Sequence, residues 1–498
     1  MDFFSYFLPL MVVFPIIMQK LRRFYLKRSY IMLQFLWPLL FLGFSGLSFF
    51  YGRALEISFW HFSSYFSFGL KLDVLSGVIG ATVSVIGLVV ARFSIRYLED
   101  DPKREMFARN LSYTLSYVLL MLMAPNLVLF FLSWFGASYF LHQLLTHFSD
   151  RAAAQEAAQQ KFWVSRLGDG FIIFAGIILF IVFQSLEFKV IFQMIQDSRF
   201  VQENFMLINM ASLSLVLGAM TKSAQFPFHF WLPNTMETPT PVSALMHAGI
   251  INAGGYLVIR MSPLLVSTPL ALSILALIGA FTAFWATIVM FTQPNVKRNL
   301  AYSTISQMGF MMLQCGLGAF SIAVVHIIGH AFYKAFAFLS SASSTDLAKL
   351  NRYYPRVKTA QSLWSPYVLA FISLTLALGS FMYLGHSVWE RPGTSALLIV
   401  LALAVSQIFL NSKDKLKAFV GASTLVILYL ALTNMMSFLL AGIIPYEVPI
   451  KGLVGGMTLF ICVFFFFALY LFQNSLDRIS KTKWGKKIYV KALNGGFS

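Results

Sequence analysis

The sequence predicts an all-α polytopic membrane protein of about fifteen transmembrane helices. Three observations carry this reading. Of the 498 residues, 58% are hydrophobic and only 11% are charged; apolar runs of near-bilayer length recur along the chain; and basic residues gather in alternate loops. So little polar surface could not cover a water-soluble globule of this size. Runs of about twenty apolar residues match the hydrocarbon thickness of a bilayer.

Spans are read near 3–19, 30–51, 72–92, 111–123, 127–145, 167–186, 206–222, 241–261, 266–290, 299–316, 319–340, 365–385, 395–411, 418–437 and 453–473. The first runs straight into Lys20, Arg22 and Arg23 without a small-residue cleavage site, so it is read as a retained helix rather than a secretory signal. Cys315 and Cys462 both fall inside apolar runs, which supports neither a disulfide framework nor a cysteine metal site. Most of the 37 basic residues fall in the stretches 20–28, 92–109, 151–166, 297–298, 349–358, 413–417 and 478–491. The opposite loops hold Arg53, Lys71, Lys189, Arg199, Arg260, Arg391 and Lys451. This asymmetry places the N-terminus outside and the C-terminus in the cytoplasm, and it accounts for a net charge of +18 with no nucleic-acid partner. The segment Arg151 to Lys161 (RAAAQEAAQQK) reads as a cytoplasmic connector of a helical turn or two. No loop is long enough for a soluble domain, so residues 1–498 read as one membrane domain in contact with lipid.

Two lysines fall within spans. Lys222 ends the seventh and Lys334 lies in the eleventh, where a lysine near the bilayer centre costs about 2.5 to 3.5 kcal/mol and is rarely kept without a role. His326, His330 and Lys334 recur every four residues and line one helix face over about 12 Å. Histidine accepts and donates protons near neutral pH, and a desolvated lysine can release one, so this row suits a proton relay. Between Lys222 and Gly249, Pro227, Pro233, Pro239 and Pro241 predict a broken helix near 222–241, whose freed backbone groups must face protein or water. Broken helices beside ionisable residues build ion sites, so Lys222, Glu237 and His247 are read together, with a solvent-exposed loop carboxylate the favoured alternative for Glu237.

At these residues a family resemblance emerges. KSAQFPFHFWLP from Lys222, TPTPVSALMHAG from Thr238, KRNLAYSTISQMG from Lys297 and HIIGHAFYKAFAFLSS from His326 resemble the antiporter-like proton-conducting subunits of respiratory complex I and of Mrp-type cation/proton antiporters. LDVLSG at Leu72, RYLEDDP at Arg96 and RLGDG at Arg166 extend the likeness. The resemblance implies antiporter-like inverted repeats, a core over about 72–437, and a proton path through Lys222, His247 and Lys334 with His326 and His330 alongside. Two family features are missing: the fifth-span glutamate, where Leu132 or Ser133 stands, and a later lysine between Ser365 and Tyr383. Asp169 and Glu237 are the candidate counter-charges for Lys222. The family's long lateral helix has no counterpart after the last span.

WFGASYFLHQLL from Trp134 and HAGIINAGGYLVIR from His247 are similar to the branch that serves inorganic-carbon accumulation complexes. That resemblance implies a bacterial inner-membrane subunit conducting protons, or another cation such as sodium. Its flux would be coupled to CO2 hydration in a DabA-like zinc subunit related to carbonic anhydrases, giving CO2/bicarbonate accumulation. The chain reads as a transporter subunit and not an enzyme: it shows no catalytic constellation, no metal-ligand cluster, no nucleotide loop and no quinone or flavin motif, so no cofactor is expected in it. The alternative is a complex I-like or Mrp-type cation/proton antiporter subunit. The relay order expected from outside is Lys334, His330, His326, His247 and Lys222, with intervening water.

Overall fold

Long apolar runs without internal turn residues become helices, and their ends fall where polar caps are available. A computed structural model describes residues 2–21, 27–62, 65–341, 392–412, 414–445, 452–479 and 481–493, with Thr375 and Gly379. The main helices are α1 (Leu8–Leu21), α2 (Lys27–Phe50), α3 (Val74–Tyr97), α4 (Arg104–Leu122), α5 (Leu127–Leu145), α6 (Ala152–Phe183), α7 (Phe205–Lys222), α8 (Thr240–Ala248) and α9 (Ala253–Arg260). They are followed by α10 (Pro269–Thr292), α11 (Val296–Gly316), α12 (Phe320–Ser340), α13 (Pro392–Asn411), α14 (Lys415–Leu439), α15 (Gly452–Ile479) and α16 (Lys483–Leu493). Asp73 opens α3 with a capping box to Ser76, and Asn126 opens α5 by accepting from the Leu129 amide.

Among the described residues, ten helices are long and apolar enough to cross a membrane. Expected spans 30–51, 111–123, 299–316 and 395–411 coincide with α2, α4, α11 and α13, whose apolar stretches are shorter or more polar. Apart from Thr375 and Gly379, span 365–385, where the family's later lysine is missing, and the basic stretch 349–358 lie outside the described residues. Two features differ from the expectation. Leu55–Phe62 (β1) and Phe66–Leu72 (β2) form an antiparallel hairpin. The Ala- and Gln-rich connector is no separate element but the start of α6, whose 32 residues rise about 48 Å and overrun a core of about 30 Å.

The chain divides into two compact units. The first comprises Met1–Ala271, His326–Ser341 and Gly442–Ile444; the second comprises Leu272–Val325, 342–441 and Pro445–Ser498. In the second, α10 and α11 approach so closely that a Cβ at Gly309 would collide with the Ala283 backbone. In the first, contacts between loops define two ends. At one, the Leu186 amide donates to Tyr65 O (2.9 Å) and Glu187 accepts from the Ser67 hydroxyl (2.8 Å) and Asn126 Nδ2 (3.2 Å). At the other, His147 meets Asp101 at 2.9 Å and Arg151 meets Glu237 at 3.0 Å. Partial burial pushes the Asp101 carboxyl up, but hydrogen bonds from His147 and the Lys103 amide outweigh it and hold its pKa below the usual value. That contribution is therefore present above the ordinary carboxylate pKa and is lost as pH falls through the lower folded value.

At the Tyr65 end a buried ion pair joins α3 to α9. Arg260 grips Asp73 with both terminal nitrogens, the Nη2–Oδ1 contact measuring 3.0 Å, and donates to the Tyr256 hydroxyl, which donates to Leu122 O at 2.6 Å. Removing one partner of such a pair strands a charge, at a cost of about 3 to 5 kcal/mol. We predict that Asp73→Asn or Arg260→Met alone lowers the melting temperature of the solubilised protein markedly, and that the double variant Asp73→Asn/Arg260→Met melts above either. Single variants that melt like the wild type would contradict this.

Candidate functional site

Two buried groups of ionisable side chains occupy the first unit. The nearer to the Arg151 end is built where α6 and α7 touch. A Cβ at Gly168 would collide with the Thr221 hydroxyl, so glycine there lets the two helices close up. Asp169, the next residue, accepts from Trp134 Nε1 of α5 at 3.0 Å and meets Arg166 at 2.7 Å. Lys222, 6% exposed, hydrogen-bonds to no protein atom; its Nζ stands 4.4 Å from the centre of the Trp134 ring and within the field of Asp169. Arg166 also lies over the Phe135 ring.

Lys161 completes this group. It is 2% exposed and donates to the backbone oxygen and hydroxyl of Ser138 at 2.8 and 2.7 Å, one turn along α5 from Trp134. The sequence places it in a solvated connector, whereas the structure seats it inside the helix bundle. Its signal was faint: one lysine in an Ala-rich helix is ordinary surface composition, and only the packing of α6 on α5 buries it. Among these four side chains three are cations and one is a carboxylate, so Asp169 is shared.

The second group joins α8 to α12. Lys334 is fully buried, His247 is 2% and His330 5% exposed, and His326 is half-buried. The His326 and His330 rings lie 6.1 Å apart, and both His330 nitrogens are buried without a protein hydrogen-bond partner. His247 stacks on Phe338 at 4.1 Å, one turn beyond Lys334, and the charge of Lys334 acts on both His247 and His330. Ile327 and Ala331 line a small cavity with Gly249, Asn252 and Tyr256.

The expected relay order is therefore corrected: along α12 the groups follow as His326, His330 and Lys334, and His247 joins at the Lys334 end, not the His326 end. The proline-rich stretch also resolves differently. Residues 223–239 hold turns, the short helix Trp231–Asn234 containing Pro233, and Pro227; Pro239 caps α8 and Pro241 sits in its first turn, where proline is tolerated. The interruption of the span itself falls later, at Gly249–Asn252, two residues after His247. Glu237 pairs with Arg151, both side chains about half exposed, so it is not a counter-charge for Lys222. At the register of the missing glutamate, Leu132 is 53% exposed, and buried Ser133 donates to Leu129 O of its own helix.

Residues 124–410 match the family described as NADH:quinone oxidoreductase/Mrp antiporter, TM, and residues 60–108 match the N-terminal region of complex I chain 5. A probable inorganic carbon transporter subunit DabB2 of Halothiobacillus neapolitanus is 39% identical over 346 residues, which is 69% of this chain and 61% of that relative. The chain thus spans about three fifths of that relative's length. A probable inorganic carbon transporter subunit DabB of Hydrogenovibrio crunogenus is 31% identical over 435 residues, 85% of this chain and 80% of the relative. The solved Mrp complex from Dietzia sp. shares the fold, with a TM-score of 0.65 at 20% identity over 99% of this chain and 59% of that one. This is a multi-pass membrane protein, and the chain belongs to the NADH:quinone oxidoreductase/Mrp antiporter transmembrane family.

Proposed function

We infer that the chain is the proton-conducting membrane subunit of an inorganic-carbon accumulation complex, seated in a bacterial inner membrane with its N-terminus outside. The observation that carries the conducting role is the fully buried Lys334 flanked by His330 and His247. This group contains only nitrogen bases. A hard metal cation such as sodium is held by oxygen ligands, whereas nitrogen bases exchange protons, so the geometry favours protons.

In this reading a proton arriving on His326 passes to His330, then Lys334, then His247, each imidazole accepting at one nitrogen and releasing from the other. Lys222 receives it toward the Arg151 end, in the group it forms with Asp169, Arg166 and Lys161. No carboxylate is devoted to Lys222 alone, since Asp169 also meets Arg166. Water bridges gaps that side chains leave open. The coupled chemistry, CO2 hydration on zinc, belongs to a DabA-like partner subunit related to carbonic anhydrases. Support for the carbon-handling branch is the likeness to probable inorganic carbon transporter subunits over most of the chain.

Two outcomes follow. Lys222→Ala and Lys334→Ala should each abolish growth that depends on inorganic-carbon uptake at ambient CO2 while the tagged complex still assembles; normal growth of both variants would sink the relay. Purification of the tagged protein from solubilised membranes should recover one large zinc-containing partner. Recovery of quinone-reducing or multi-subunit antiporter chains would instead assign the protein to the complex I-like or Mrp-type reading.

A further inference from the structure

A half-open apolar slot runs between α1, α2, α3 and α4 in the first unit, apart from both ionisable groups. Its walls are Phe14, Met18, Trp37, Leu88, Phe107 and Leu111, with smaller side chains between them. Along α4 the slot extends from Arg104 to Leu115, eleven residues or about 16 Å, which is half of the roughly 30 Å hydrocarbon core. Its length is thus that of one leaflet. Gly87 and Leu115 close one end of it, packed so tightly that a Cβ at Gly87 would press against the Leu115 side chain.

Its polar lining is sparse and oriented. Ser94 and Ser112 spend their hydroxyls on their own helices, donating to Val90 O at 2.7 Å and Ala108 O at 2.9 Å. The one charged lining residue is Arg104, exposed at the end shared with the Asp101–His147 contact, beside Gln19. Arg104 commits Nη1 to Glu99 O at 3.1 Å and has further donors for an anion. Lys20, adjacent to Gln19 at the end of α1, is exposed at the same mouth.

We propose that this slot is a binding site for one anionic phospholipid, its acyl chain lying along α4 and its phosphate on Arg104. The shape asks for a chain one leaflet long, and Arg104, with Lys20 beside it, favours a negative headgroup over a zwitterionic one. The site is independent of the proton-conduction reading.

The test uses the full chain reconstituted in vesicles of equal phosphatidylglycerol and phosphatidylcholine, then released and weighed by native mass spectrometry. The wild type should retain one phosphatidylglycerol per chain. Arg104→Gln, an exposed change that leaves packing intact, should cut that preference by about fivefold, and Ala108→Trp, which fills the slot, should remove bound lipid of both kinds. Equal retention of the two lipids by the wild type, or phosphatidylglycerol retention unchanged in Arg104→Gln, would overturn the proposal even if Ala108→Trp does not fold.

Discussion

The interaction on which the ionisable group between α6 and α7 depends is the sharing of one buried carboxylate. Asp169 accepts from Trp134, meets Arg166 and lies in the field of Lys222 and Lys161. Ionised groups in a low-dielectric interior are costly unless paired. Here the pairing is incomplete by design of the packing: the close approach of α6 and α7 at Gly168 sets Asp169 near the end of α7, yet Lys222 keeps no hydrogen bond of its own. A lysine locked to its own carboxylate would hold its proton firmly. In the proposed relay, Lys222 instead shares its carboxylate with two other cations, which leaves its proton free to move on.

The second group relies on a different constraint. Lys334, His330 and His247 are brought together in one buried group, with His247 stacked on Phe338. The helix break at Gly249–Asn252 follows His247 directly and lets α8 present the imidazole to Phe338 while α9 continues to the Arg260–Asp73 pair. That pair ties α9 to the start of α3 and, through Tyr256, to the end of α4. Rigid anchoring at one end of α8 and α9 thus fixes where the titratable histidine stands at the other.

Much of this was legible in the sequence because its signals are local. Apolar length marks the spans, and the four-residue recurrence of His326, His330 and Lys334 puts them on one helix face. What was not legible depends on pairing across the chain. Lys161 reads as a loop charge until α5 packs over it. Arg260 was assigned to an outer loop although Asp73, 187 residues away, neutralises it inside the protein. Glu237 finds Arg151 86 residues away rather than Lys222. Local periodicity fixes the sequence of groups along α12 but not the end at which His247 docks, which is the Lys334 end. The β1–β2 hairpin did have a local cue in the alternation of LEISF, overlooked among longer apolar runs.

The central claim is that a shared carboxylate keeps Lys222 able to pass protons. The most direct measurement is proton flux into liposomes carrying the purified complex, read with an entrapped pH-sensitive dye under an imposed gradient, for the wild type and Asp169→Asn. Asn keeps the shape and can still accept from Trp134 but removes the charge. The account predicts that flux falls by about tenfold or more, the effect of roughly 1.4 kcal/mol on the transfer barrier, with the complex still assembled. Undiminished flux in an assembled Asp169→Asn complex would contradict it.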